Sequence, residues 1–155
     1  MHGVLFATVL AAALGAGVVG GVFFAFSSFV MPALARLPAR EGIAAMQSIN
    51  VVVLNRSFLG VFLGTAALTA PLLLGVPWHG RAWLATGAVL YLVGSIGVTM
   101  LCNVPRNELL ADIVPTEPES ERIWADYVSE WTRWNTVRAA ASIAAGAAFV
   151  AALAA

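Results

Sequence analysis

The chain has 155 residues, of which 61% are hydrophobic and only 10% are charged. Soluble domains are about 45–50% apolar and about 25% charged, so this composition excludes an ordinary soluble protein and predicts a single membrane domain over residues 1–155. The formal net charge is zero, which leaves no basic excess to attract phosphate and excludes a nucleic-acid-binding protein. Cys102 is the only cysteine, so an intrachain disulfide is also excluded.

Four apolar runs are long enough, or nearly so, to cross a hydrocarbon core, which takes about 20 helical residues. We place the spans at approximately 4–30, 57–76, 82–103 and 135–155. Met31-Pro32 is expected to end the first span. A cleaved signal peptide is the competing interpretation of the first run, but the preceding residues lack the positive side chains of such a peptide.

The two longer connections leave the same end of the bundle, because two spans separate them. Residues 41–55 have apolar side chains at helical spacing, which predicts an amphipathic helix that runs straight into the second span. In the other connection, Pro105 is expected to end the third helix or to start the next turn. The predicted fold class is therefore all-α, a four-helix transmembrane bundle with an amphipathic helical cap on one face.

Arginine is unevenly distributed between the two ends of the predicted bundle. All the arginines except Arg81 lie at the capped face. Because cytoplasmic loops are enriched in basic residues, we expect a multi-pass cell-membrane protein with its capped face in the cytoplasm and both termini outside.

Two pairs of glycines have the GxxxG spacing that lets helices approach closely. They are Gly17 with Gly21 and Gly60 with Gly64. This pattern favours tight packing inside the bundle, with a homodimer seam, and hence a homo-oligomer, as the alternative.

Polar residues gather at the capped end of the chain in three clusters. Asn50 and Arg56 precede the second span, while Asn103 and Asn107 flank Pro105 at the end of the third. The amides of the second pair could cap helix ends or face inward as hydrogen-bond partners.

The third cluster is a helical stripe that leads into the fourth span. Steps of three and four residues place its members on one helix face: Trp124, Tyr127, Trp131, Trp134 or Asn135, and Arg138. Three interpretations stay open for the stripe. It forms an aromatic belt at headgroup depth, or it is structural, with Arg138 and Arg56 paired with Glu130, Glu108 or carbonyl groups. The third is a pocket with aromatic walls and an amide and guanidinium rim, which suits a flat aromatic or quinone-like ligand.

Standard catalytic motifs are absent from the sequence. There is no GxSxG, HExxH, P-loop, GxGxxG or CxxC pattern. The two histidines, His2 and His79, offer too few ligands for a His-rich metal or haem centre. We therefore expect neither a metal nor a cofactor.

The order of four motifs resembles the DUF1772, or anthrone oxygenase-like, family. The motifs are Met31-Pro32-Ala33-Leu34, Gln47-Ser48-Ile49-Asn50, Asn103-x-Pro105-x-Asn107 and Trp124-x-x-Tyr127-x-x-x-Trp131-x-x-Trp134-Asn135-x-x-Arg138. The resemblance covers nearly the whole chain and implies a four-span membrane protein. Some fungal members of the family are assigned to the oxidation of anthrones to anthraquinones. Bacterial members often carry His after the Trp-Asn pair, where this chain has Thr136.

Two functions follow from these observations. The first is a membrane oxygenase that oxidises an anthrone or related phenolic with O₂: Arg138 or Arg56 would stabilise an enolate, and Asn103 or Asn107 would orient it. The residues expected to bind the ring system or its polar groups are Trp131, Trp134, Asn135, Asn50 and Tyr127. The alternative is a non-enzymatic membrane protein that binds a lipid or quinone, or that supports a membrane complex.

Overall fold

A computed structural model of the chain describes residues 3–74, 80–116 and 119–155, which form five helices and no strand. Four of these helices are long and apolar enough to cross a membrane, so the predicted all-α transmembrane fold class is confirmed. The predicted end of the second span, at residue 76, lies outside the described residues. We number the helices α1 (Gly3–Leu34), α2 (Ala39–Val52), α3 (Arg56–Leu73), α4 (Arg81–Ala111) and α5 (Ser120–Ala154).

Helix α5 lies at the centre of the packing. Its most extensive interface is with α1, and it also packs along α4 and against α2. The interface with α1 is built largely from small buried side chains, including Ala12, Ala16, Ala139 and Ala145. Small residues allow close backbone approach, which strengthens the dispersion contacts that hold helices together in lipid.

The GxxxG prediction is wrong for both glycine pairs. A side chain built at Gly17, Gly21, Gly60 or Gly64 would meet nothing within 4 Å, so no helix packs closely against the side-chain positions of these glycines. Close approach occurs elsewhere: a Cβ at Gly94 would lie 2.5 Å from the Cβ of Ala141, across the interface of α4 with α5.

Two prolines that were expected to end or interrupt helices lie inside continuous ones. Pro32 lies in α1 and Pro105 in α4, and each follows a π-helical turn, at Phe26–Val30 and at Thr99–Asn103 respectively. In the wider π turn each N–H donates to a carbonyl five residues back. This shifts the hydrogen-bond register of the helix just before the proline, which has no N–H to donate. The helix therefore continues through the proline.

A helix does form in the segment predicted to be amphipathic, over Ala39–Val52 instead of 41–55, but it does not run straight into the second span. It ends at Val52, and the side chain of Asn55 then accepts hydrogen bonds from the backbone N–H groups of Ser57 and Phe58, both at 3.0 Å. This is an N-cap, which satisfies donors left free at a helix start, so the break between α2 and α3 follows from Asn55.

A second apolar cluster joins α2 to the amino-terminal half of α5. Ile43 and Met46 from α2 are fully buried there with Leu110, Trp124 and Tyr127. The carboxamide nitrogen of Gln47 also donates to the backbone carbonyls of Leu110 and Ile113, at 2.8 and 3.0 Å. These contacts hold α2 against the end of α4.

The glycine contacts predict a difference in stability between two substitutions. Gly94→Ala places a methyl group against Ala141 and should lower the free energy of unfolding by about 1–3 kcal/mol, the usual effect of overpacking. Gly64→Ala adds the same methyl group where no atom lies within 4 Å and should not destabilise the protein. Thermal unfolding of both variants in detergent, followed by circular dichroism, checks this; equal melting temperatures would contradict close packing of α4 on α5 at Gly94.

Candidate functional site

A polar ladder runs along the interface of α4 and α5. Ser95, Thr99, Asn103 and Asn107 recur at every fourth residue of α4, and the first three are buried. In a regular α-helix, a four-residue step overshoots one turn of 3.6 residues, so such a stripe would drift around the helix. The π-helical segments Leu90–Gly97 and Thr99–Asn103 hold more residues per turn, which opposes this drift.

Each member of the ladder has a partner on α5. Ser95 Oγ lies 2.9 Å from Ser142 Oγ, Arg138 Nη1 donates to Thr99 Oγ1 at 3.1 Å, and Asn103 Nδ2 donates to the carbonyl of Trp131 at 3.1 Å. Polar contacts between helices fix their register in lipid, where an unsatisfied polar group has no water to bind. The ladder therefore fixes how α4 and α5 are rotated against each other.

Asn107 is held in one orientation by two donors. Its Oδ1 atom accepts from the hydroxyl of Tyr127 at 2.9 Å and from the indole N–H of Trp131 at 2.7 Å. Because an amide nitrogen cannot accept these bonds, the NH₂ group must occupy the other position. That NH₂ group has no protein acceptor within the described part of the chain, so it is available to a ligand.

Arg138 is the central charged group of the site. It is buried in α5, with 7% of its surface exposed, and no carboxylate pairs with it among the described residues. Its Nε donates to Asn135 Oδ1 at 3.0 Å. The guanidinium carbon lies 3.9 Å from the ring centroid of Phe23 and 5.1 Å from that of Trp131, within cation–π range.

The partners of Arg138 are all neutral, so its positive charge is not cancelled. A buried cation in a membrane is costly and is normally paired with an anion or exposed to a wet cavity. The alternative in which Arg138 pairs with Glu130 or Glu108 is wrong: Glu130 accepts from Arg106 at 3.1 Å, and neither Arg138 nor Glu108 forms an ion pair among the described residues. The guanidinium of Arg138 is therefore free to pair with an anion that is not part of the protein.

Asn135 connects Arg138 to the first helix. Its Nδ2 donates to the carbonyl of Phe23 at 2.7 Å and to Ser27 Oγ at 2.6 Å, while its Oδ1 accepts from Arg138. Ser27 lies in the π turn of α1. The amide therefore fixes the guanidinium relative to α1 and to the Phe23 ring.

Thr99, Asn107 and Arg138 border a cavity of about 340 Å³ between α1, α2, α3, α4 and α5. This volume lies in the range of small-molecule sites. The polar side chains that line it are Asn50, Thr99, Asn107 and Arg138, and its apolar lining includes Phe23, Phe26, Met46, Phe58, Phe62 and Trp131. A mostly apolar wall that includes five aromatic rings, together with a few polar groups, suits a flat ring system that carries an oxygen substituent.

The structure brings together only some of the residues singled out from the sequence. Asn50, Asn107, Trp131 and Arg138 line the cavity. Tyr127, Asn135 and Asn103 do not line it; each is buried and holds one of the lining residues in place through the bonds described above.

Arg56 and Trp134 lie apart from the cavity. The side chain of Arg56 is exposed at the start of α3. Trp134 points elsewhere on α5, where the guanidinium of Arg133 lies 5.7 Å from its ring centroid. Thr136 is also exposed, and its hydroxyl bonds Ser27 and the carbonyl of Thr132. The position that carries His in many relatives is therefore outside the cavity lining.

Sequence reasoning missed Thr99 and the apolar residues that line most of the cavity. Thr99 could have been found, because it belongs to the four-residue polar spacing of α4. Phe23, Phe58 and Phe62 gave no such signal, since phenylalanine in a membrane span is ordinary. Among the described residues, no group of three or more His, Cys, Asp or Glu side chains could hold a metal ion.

Comparison with known proteins gives one match. The sequence model of the family described as anthrone oxygenase matches residues 50–148, which include all of α3, all of α4 and most of α5. No curated protein and no solved structure matches the chain. The match covers the ladder, Asn107 and Arg138, and it extends over more than half of the sequence. The chain belongs to the anthrone oxygenase family, DUF1772, and is an integral membrane protein with four predicted spans.

Proposed function

We propose that the protein is a membrane oxygenase that oxidises an anthrone, or a related phenolic, with O₂. One observation carries this proposal: a guanidinium without a carboxylate partner among the described residues faces a cavity whose other walls are largely apolar and include five aromatic rings. The ionised form of an anthrone has the matching chemistry, because it is a flat ring system with negative charge on one oxygen.

The reaction begins with loss of a proton from the ring methylene of the anthrone. The remaining electron pair delocalises onto the carbonyl oxygen and gives an enolate. The described residues lining the cavity include no carboxylate or imidazole, so in this mechanism the proton goes to water. The protein accelerates the step by stabilising the oxyanion, which lowers the pKa of the bound substrate.

The enolate carbon then bonds to O₂, and protonation of the product by water gives a hydroperoxide at the former methylene. Loss of the second hydrogen as a proton, with cleavage of the O–O bond, leaves a carbonyl and releases water. The substrate is oxidised by four electrons, and O₂ supplies one oxygen atom to the quinone and one to water.

Arg138 and Asn107 have distinct roles in this scheme. Arg138 is the counter-ion for the enolate oxygen, and its position is fixed by Asn135 and Thr99. Asn107 donates its NH₂ group to an oxygen of the substrate, because Tyr127 and Trp131 already occupy its Oδ1. Donors fixed in advance need no reorganisation as charge develops, which is the main benefit of a preorganised site.

The first test removes the charge of Arg138. Arg138→Gln should lower the rate of anthrone oxidation by about 10²–10³-fold, the usual loss when an oxyanion donor is removed. The measurement is anthraquinone formation by purified protein in detergent, above the spontaneous rate.

Two further variants separate chemistry from folding. Arg133→Gln removes an exposed arginine from the same helix and should leave the rate unchanged. Arg138→Lys keeps the charge and should retain part of the activity if charge is what matters. The proposal fails if wild-type protein gives no acceleration with several anthrones, or if folded Arg138→Gln keeps the full rate.

The second test concerns the free donor of Asn107. Asn107→Asp keeps an oxygen for Tyr127 and Trp131, but it replaces the donor with negative charge beside the cavity. The rate should fall about 10–100-fold, as expected for the loss of a hydrogen bond to a charged group. Asn55→Asp is the matched control, because Asn55 is an exposed N-cap and Asp caps equally well. Equal losses in both variants would show that the effect is not specific to the cavity.

A second candidate is a non-enzymatic protein that binds a quinone or an anionic lipid. The absence of a carboxylate or imidazole among the described lining residues favours it, because a binding site needs no base. Tight binding of a hydroxyanthraquinone without turnover of any anthrone would support this candidate over the oxygenase. The same result would leave open whether the chain also supports a membrane complex.

We propose further that α2 and the arginine-rich end of the bundle face the cytoplasm, with both termini outside. Single cysteines at Ser48 on α2 and at Gly3, introduced in a Cys102→Ser background, test this orientation. In intact cells, a membrane-impermeant maleimide should label the Gly3→Cys variant and spare the Ser48→Cys variant. The reverse pattern would reverse the topology.

A further inference from the structure

The cavity is not closed equally on all sides. Its wall towards α1 and α5 is buried, with Phe23 at 3%, Trp131 at 3% and Arg138 at 7% exposure. On the opposite side, three residues that line the cavity are also largely exposed: Leu63 at 53%, Met100 at 57% and Leu54 at 66%. These residues mark an opening between the start of α3 and the middle of α4.

The packing of α3 explains where this opening lies. Helix α3 contacts α1 along its length and meets α4 in the segment Leu90–Gly97, where the hydroxyl of Tyr91 donates to the carbonyl of Phe62 at 3.0 Å. Helix α3 makes few or no contacts with the next segment of α4, Thr99–Asn103. The two helices therefore diverge towards the end of the bundle that carries Asn107.

The rim of the opening is apolar, and two of its three residues lie within membrane spans, while Leu54 lies in the turn before α3. Leu63 and Met100 belong to the segments long and apolar enough to cross the bilayer, so their exposed surfaces face lipid. The polar residues of the cavity lie deeper: Thr99 and Arg138 are buried, and Asn50 and Asn107 are partly buried. An aqueous mouth would be expected to have polar side chains at its edge.

We propose that the cavity opens sideways into the bilayer between Leu63 and Met100, and that the substrate reaches Arg138 from the lipid phase. This inference rests on the proposed function for the identity of the substrate. It restricts the substrate to a neutral ring system that dissolves in hydrocarbon and ionises only after it reaches the guanidinium. The product is an uncharged quinone that leaves by the same opening.

Met100 lies at the opening, and the next residue, Leu101, provides a matched control for a substitution there. Met100→Trp places an indole in the gap. Leu101→Trp adds the same indole one residue further on, at a position that is 79% exposed and does not line the cavity. Both proteins are reconstituted in phosphatidylcholine nanodiscs, and binding of 1-hydroxyanthraquinone is followed by stopped-flow quenching of tryptophan fluorescence.

We expect Met100→Trp to slow both association and dissociation about tenfold and to change the equilibrium Kd little, because a narrowed opening hinders passage in both directions. Leu101→Trp should leave both rates as in the wild type. A weaker Kd with an unchanged association rate would mean that the indole fills the site instead of the opening, and would overturn the proposal. Unchanged rates and Kd in Met100→Trp would also overturn it.

The binding measurement is independent of turnover. If the wild type binds the hydroxyanthraquinone through the opening but oxidises no anthrone, the lateral opening stands and the oxygenase function fails. If the wild type oxidises anthrones and the rates of Met100→Trp match those of the wild type, the function stands and the opening fails. Absence of binding in the wild type would overturn the opening as the path of this ligand class.

Discussion

The site depends on one buried charge held by neutral partners. In a lipid-embedded bundle, a guanidinium without a carboxylate is costly, and it is retained only where the surroundings stabilise it. Here the stabilisation comes from the oxygens of Asn135 and Thr99 and from the rings of Phe23 and Trp131. None of these partners carries charge, so the field of Arg138 extends into the cavity instead of being neutralised by the protein.

The irregular helical turns are arranged around this charge. The π turn of α1 carries Ser27, which binds Asn135, and the π turn of α4 carries Thr99 and Asn103, which bind α5. π turns occur often at functional sites, because the inserted residue displaces side chains from the regular spacing. In this protein both of these π turns also precede a proline, so the same distortion that presents polar groups allows the helix to continue. The backbone irregularities and the site therefore have a common origin.

Much of the fold could be predicted from the sequence, because lipid imposes a simple length and polarity rule on each span. The stripe on α5 was also predictable, since steps of three and four residues placed Trp131 and Arg138 on one face. The spacing could not decide whether Trp134 or Asn135 belongs to this stripe. Neighbouring residues on a helix differ in direction by about 100°, and a step of three or of four residues allowed either one. Only the contact between Asn135 and Phe23, across 112 residues of chain, decides it.

Other features could not be predicted, because they depend on contacts between distant helices. A proline ordinarily indicates a helix end, and only the preceding π turn removes that constraint at Pro32 and Pro105. Glycine pairs at GxxxG spacing indicate an interface without saying which one, and here no atom lies within 4 Å of their side-chain positions. The apolar wall of the cavity carries no sequence signal at all, because a phenylalanine that faces a ligand and one that faces lipid look the same in the chain.

The divergence of α3 from α4 has a consequence for the chemistry of the site. In the proposed lateral opening, Leu63 and Met100 form the edge of the cavity between the two helices, and the rest of the wall there would be supplied by whatever surrounds the protein. In a bilayer that wall consists of acyl chains, whose lateral pressure and order then help to set the width of the pocket. The membrane is in this sense a component of the binding site, and the same polypeptide in a detergent micelle presents a differently shaped one.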